Sequence, residues 1–181
     1  MTRSAWSIEP ATVDSLQDIL KIEEACFSAP WTRKMLEAEL SGNPFAHFLL
    51  ARQAREAETE VGLIVGYLCY WIVFEEIRLM NLAVIESMRH RGIARSLVLT
   101  ALQLGLSQSA HRAVLEVRAS NEAGKSLYLN LGFRHTAVRK KYYNNPVEDA
   151  LLMELDPIVL DSEVGGVAHR HKGGQGNQLR S

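Results

Sequence analysis

Four basic residues crowd one short stretch of the chain: Arg89, His90 and Arg91 precede Gly92, and Arg95 follows three positions later. From there Ile93, Ala94, Leu97, Val98, Ala101 and Leu102 recur at the spacing of one helix face, so the basic group sits at or just before a helix's first turn. A helix N-terminus already carries about half a positive charge, and each exposed cation there costs about 0.3–1 kcal/mol. A bound polyanion reverses that sign, because free N–H groups, dipole and guanidinium groups then converge on it. Phosphate is the chemistry these residues suit, with Gly92 and the small Ala94 letting backbone approach it. A solvated basic turn paired with Glu86 is the other reading of the same residues. Neither G-x-x-x-x-G-K-[ST] nor G-x-G-x-x-G after a strand occurs, so a phosphate here needs a different loop.

Other residues are less pointed on their own. Ala113, Leu115 and Val117 share one strand face while Val114, Glu116 and Arg118 share the other, which leaves Glu116 as a paired surface charge or a cleft carboxylate. Tyr128 keeps helical spacing with Gly124, Leu127 and Leu131 and reads first as a core aromatic. Asn121 opens that helix as an N-cap. Tyr142 and Tyr143 run into the turn signal Asn144-Asn145-Pro146. Glu75 and Glu76 close a long apolar run and, on a cleft, would attract a basic peptide. The two cysteines, Cys26 and Cys69, form no C-x-x-C pair or zinc spacing and read as small core residues in a reducing compartment; no metal is expected.

Helices are expected after Thr12, after a Thr32 cap to Ser41-Gly42, from Gly92 to about Ser107, and from Asn121 to Leu131. Strands are expected over Phe45–Ala51, Val61–Phe74, Ile77–Val84 and Ala113–Val117, with two more from Phe133 onward and over Ala150–Leu155. The order is α-α-β-β-β-α-β-α-β-β, an α/β mixed sheet with helices on both faces. With 181 residues, 47% hydrophobic and 23% charged, one domain with about 70% of its surface buried is the natural outcome. That domain is placed at residues 1–160, ahead of a flexible Gly-rich tail at 161–181 whose His169 and His171 read as solvated. A net charge of −1 argues against direct nucleic-acid binding. The first ten residues lack the apolar core of a signal peptide, and Val61–Phe74 falls short of the roughly 20 residues a membrane span needs. A cytoplasmic protein off the membrane is expected.

Arg89-His90-Arg91-Gly92-Ile93-Ala94 resembles the R/Q-x-x-G-x-G/A motif with which GNAT-superfamily N-acetyltransferases hold the pyrophosphate of acetyl-CoA. Leu115-Glu116-Val117-Arg118-Ala119-Ser120-Asn121, Ser126-Leu127-Tyr128, Leu131-Gly132-Phe133, Pro30-Trp31, Asn81 to Val84 and Tyr142-Tyr143 resemble the bacterial branch that acetylates the N-terminal alanine of a small-subunit ribosomal protein. The resemblance runs from about Ile8 to Leu155. It implies the GNAT fold, mostly antiparallel and splayed in the middle, and acetyl-CoA as co-substrate. It assigns Glu116 as general base and Tyr128 as general acid for the leaving thiolate. Leu82, Ala83 and Val84 in a bulged strand, the turn His90, Arg91, Gly92, Ile93, Ala94 and Arg95, and Asn121 would bind the cofactor. Tyr142 and Tyr143 would grip the acceptor peptide.

The acceptor implied is a protein N-terminus, probed by one piece of arithmetic. An α-amine titrates about 2.5 pH units below a lysine, so neutralising the lysine costs roughly 3.5 kcal/mol more. A single carboxylate base suits the α-amine, while lysine side chains or small amines stay open as acceptors. A noncatalytic acyl-CoA sensor is the rival of another class. It would need the basic turn without the Glu116 and Tyr128 pair.

Overall fold

The computed structural model describes residues 6–54 and 62–160. Seven strands form one sheet: β1 (Trp6–Pro10), β2 (Ala46–Gln53), β3 (Ile64–Val73), β4 (Glu76–Val84), β5 (Arg112–Arg118), β6 (Arg134–Asn144) and β7 (Val147–Leu155). Their order across the sheet is β1-β2-β3-β4-β5-β7-β6, and only the β4–β5 pair is parallel. Four helices cover it: α1 (Leu16–Cys26), α2 (Arg33–Glu37), α3 (Ile93–Ser107) and α4 (Glu122–Asn130). The tail assigned to 161–181 lies outside the described residues. Among the described residues no helix is long and apolar enough to cross a membrane.

Period-two alternation gives the sheet two apolar faces. Leu49, Ala51, Leu68, Leu79 and Leu115 turn toward α3 and α4, while Phe48, Leu50, Tyr67, Cys69 and Ala83 turn toward α1 and α2. Buried Ile93, Leu97, Val98, Ala101 and Leu102 of α3 meet the first face, each large side chain contributing about 1.5–3 kcal/mol. Gly105 packs directly against the Ile77 side chain, which a Cβ there would displace. Ile19 and Ile22 of α1 and Leu36 of α2 meet the second.

The caps follow the expected chemistry. Thr32 Oγ1 accepts from Met35 N at 3.3 Å and Asn121 Oδ1 from Gly124 N at 2.8 Å. The turn of helix after Thr12 is 3-10 over Val13–Ser15 before α1 begins, and α2 widens into a π turn over Ala38–Gly42. One element was not expected. β1 pairs antiparallel with β2 from Trp6↔Gln53 to Pro10↔Leu49, a five-residue edge strand whose apolar positions are too few to announce a period.

Candidate active site

The site begins where β4 and β5 part. Their parallel pairing covers only Glu76↔Arg112 to Leu79↔Leu115. Met80 is then an extra residue in β4, since Tyr70 faces Leu79 and Cys69 faces Asn81. The bulge therefore precedes Leu82–Val84 rather than falling within them. It also switches the strand's faces: Ile77 and Leu79 lie toward α3, and after Met80 it is Leu82 and Val84 that do. Ile85 N donates to Val65 O at 2.9 Å, so alternation turns the Leu82 and Val84 amides away from β3 and into the gap. Across it, β5 continues from Glu116 to Arg118 paired only with β7. Glu116 is thus the first β5 residue past the fork. The gap opens at the carboxyl ends of parallel strands, where ligands of open α/β sheets bind.

At the open end of β4 stands the basic turn. Gly92 is the N-cap of α3 with φ +82°, and no side chain caps the helix. Its first helical bond is Ser96 N to Gly92 O, which leaves the amides of Ile93, Ala94 and Arg95 free of helical partners. A Cβ on Gly92 would touch nothing, so conformation rather than space requires glycine. His90 also has positive φ, +60°, a strained choice for a residue with a side chain. Arg89 is spent internally, its Nε donating to Val84 O at 3.0 Å. Arg91 and Arg95 are exposed and make no ion pair among the described residues, and Glu86 answers neither. The side chain of Ile93 is core, so only its backbone faces the site.

The opposite wall is densely paired. Arg139 Nη1 lies 2.8 Å from Glu116 Oε1, and its guanidinium sits 4.8 Å from the Tyr142 ring centre. Tyr142 is held above its ordinary pKa chiefly because its hydroxyl donates to Glu116. Arg118 stacks 4.0 Å over Tyr143 and pairs with Glu148 at 3.2 Å. Glu148 also accepts from Ser120, which holds its carboxyl below the usual range. Three residues of β6, Lys140, Lys141 and Tyr142, oppose Asp149 alone, and this wide bulge turns the tyrosine pair, whose rings meet edge-on at 5.1 Å, toward β5. Tyr128 is 8% exposed, edge-on to Phe133 at 5.7 Å. Burial, then the neighbouring Tyr143, pushes its hydroxyl pKa well up.

Glu116, Tyr142 and Tyr143 lie together, and Tyr128 adjoins Tyr143 from the α3–α4 side of the sheet, but Glu75 is not among them. It is exposed, pairs with His111 Nε2 at 3.1 Å, and precedes β4 at the closed end of the sheet. At about 3.3 Å per residue, the eight steps from Glu76 to Val84 separate it from the open end by roughly 25 Å. The β3–β4 turn simply points the wrong way for an acceptor contact. Cys69 is buried as expected, while Cys26 is half-buried with Sγ 3.6 Å from Val84 O.

Two residues escaped the sequence reading. Glu23 is fully buried on α1, and its signal was present, since it falls four positions after Ile19 on the apolar stripe with Ile22. Arg139 had no signal, because every residue of β6 except Tyr143 is exposed and no period shows. Among the described residues no three His, Cys, Asp or Glu gather closely enough to hold a metal ion.

Comparison with known proteins agrees with this geometry. A protein of Bacillus subtilis (strain 168), provisionally named a [ribosomal protein bS18]-alanine N-acetyltransferase, is 32% identical over 141 residues, covering 78% of this chain and 89% of that one. The crystal structure of the ribosomal-protein-S18-alanine N-acetyltransferase from Escherichia coli superposes with a TM-score of 0.73 at 25% identity, over 88% of this chain and 97% of that one. Arabidopsis thaliana NAA60 in complex with acetyl-CoA shares the fold, with a TM-score of 0.75 at 17% identity over 83% and 98%. The model of the Acetyltransferase (GNAT) family matches residues 16–133. A forked sheet, an uncapped basic helix start at its open end and this match together make the chain a member of the GNAT acetyltransferase family.

Proposed function

We propose that this acetyltransferase moves an acetyl group from acetyl-CoA directly onto the α-amine of a protein N-terminus, the alanine that begins ribosomal protein bS18. One observation carries the reading. Glu116, the first β5 residue past the fork, lies between an unanswered cationic helix start and a tyrosine pair on the far wall. The pyrophosphate fits the free amides of α3 with His90, Arg91 and Arg95, and the pantetheine arm fits the unpaired Leu82 and Val84 edge of β4. Asn121, its Oδ1 engaged as a cap, keeps its side-chain N–H groups for the cofactor. The acceptor specificity comes from the two similar enzymes named for bS18 alanine.

In the reaction the amine nitrogen attacks the thioester carbonyl, a C–N bond forms and the C–S bond breaks. Glu116 takes the amine proton, directly or through water, and passes it to solvent. The sulfur departs as a thiolate held by the Tyr128 O–H. Burial raises the pKa of Tyr128, so its hydroxyl keeps its proton and is available as the general acid for the departing sulfur.

The test gives purified protein acetyl-CoA with peptides that begin with Ala, begin with Ser, or carry lysine behind a blocked N-terminus, and locates the added mass. Acetyl on the alanine amine is expected. Acetyl on lysine alone, or on no peptide, overturns the reading.

A further inference from the structure

Among the described residues Glu23 is the one carboxylate buried completely, and no step above uses it. Oε2 accepts from the backbone N–H of Trp31 at 2.6 Å. Oε1 accepts from the Tyr67 hydroxyl and from Asn81 Nδ2, the latter at 2.7 Å. Asn81 Nδ2 also donates to the Tyr67 oxygen at 2.8 Å, so the three side chains close a triangle. Burial works against the charge and raises the pKa of Glu23, while the three donors pull it back down. An ion withdrawn from water costs several kcal/mol, and apolar replacements for buried charges are often as stable. Stability by itself therefore gives little reason for a carboxylate here.

Its partners supply a reason. Trp31 lies in the loop between α1 and α2, and Ser28 of that loop reaches Asn145 O in the β6–β7 turn at 3.4 Å. Asn81 directly follows Met80, the bulge at which β4 leaves β5, and the bulge is what turns Asn81 toward α1. Glu116 stands on this same face of the sheet, opposite Leu115 and Val117. One carboxylate thus ties the loop over the acceptor side of the gap to the strand that forms its wall.

We propose that Glu23 is a positioning residue for the acceptor, holding the α1–α2 loop and bulged β4 at the separation at which the peptide binds beside Glu116. The inference rests on the acetyl-transfer reading above. It separates acceptor geometry, which needs Glu23, from donor binding at α3, which does not.

Glu23→Gln cuts the tether at one end. An amide keeps one oxygen for Tyr67 and Asn81 but presents NH2 to the Trp31 N–H, which then has no acceptor. With a synthetic Ala-starting peptide, KM should rise about fivefold or more, with kcat at saturating peptide and the calorimetric Kd for coenzyme A each held within about threefold. Asn81→Ala cuts the other end, should shift KM in the same direction, and decides the matter if Glu23→Gln does not fold. Unchanged peptide KM in the folded variants overturns the proposal. So does a rise in KM accompanied by an equal loss of coenzyme A affinity, the mark of general loosening. If instead the unmodified enzyme leaves the peptide unacetylated, it is the acetyl-transfer reading that fails.

Discussion

The two walls of the fork handle charge in opposite ways. Around the start of α3 the molecule leaves Arg91, Arg95 and the first helical amides unanswered, in a turn strained at His90. Around β5 to β7 it answers its charges internally, Glu116 with Arg139 and Arg118 with Glu148. The first wall is preorganised for a ligand of fixed negative charge and has nothing to give up when that ligand arrives. The second already engages its carboxylate with Arg139 and Tyr142, so an acceptor amine has to compete with those contacts for Glu116. Donor binding should therefore follow salt and local cations, while turnover should follow the carboxylate and tyrosines across the gap.

The strongest way to break that division is Glu116→Gln, which removes the proton acceptor and keeps the shape. A fall in kcat of about a hundredfold or more is expected, with coenzyme A affinity within about twofold. Turnover near that of the unmodified enzyme would remove Glu116 from the chemistry. Tyr128→Phe should cost less, about tenfold in kcat, since it deletes one donor to the leaving sulfur and leaves the edge contact with Phe133 in place. Equal losses in kcat and coenzyme A affinity would place the hydroxyl in cofactor binding instead.

Arg91→Ala probes the other wall. Loss of one charge-assisted contact should weaken coenzyme A by about fivefold to tenfold and flatten the dependence of binding on salt. Peptide KM should stay unchanged. Calorimetry at two salt concentrations decides it, and an effect confined to the peptide would dissolve the contrast between the walls.

Much of this arrangement was legible in the residues, and unevenly so. The α3 start was readable because its charges violate a local rule, and a violation is visible without any partner. The alternation that sets Glu116 apart from Leu115 and Val117 was readable for the same local reason. Arg139 was not, because an exposed edge strand with no period says nothing about which charge it will meet across β7. Glu75 misled because two carboxylates at the end of an apolar run carry no mark of which end of the sheet they occupy; topology decides that. The splay itself depends on one extra residue, Met80, which no composition or period distinguishes from its neighbours.

The smallest expected effect reads the same contrast through pH. Glu148 is held below the ordinary 4.5 by Ser120 and then Arg118, so its contribution to stability is present above 4.5 and disappears as pH falls through its lowered value. Glu23 is raised, chiefly by burial, so its contribution is present below 4.5 and disappears as pH rises through its raised value. Melting temperatures of Glu148→Gln should therefore lie furthest below those of the unmodified protein near neutrality and converge with them in acid. Those of Glu23→Gln should move the other way, gaining on the unmodified protein as pH climbs from 4 toward 7. The divergence separates a carboxylate stabilised by its partners from one maintained against its surroundings. Parallel melting curves for the two variants would place Glu23 and Glu148 in equivalent settings, and the argument that Glu23 is retained for acceptor geometry would lose its energetic support.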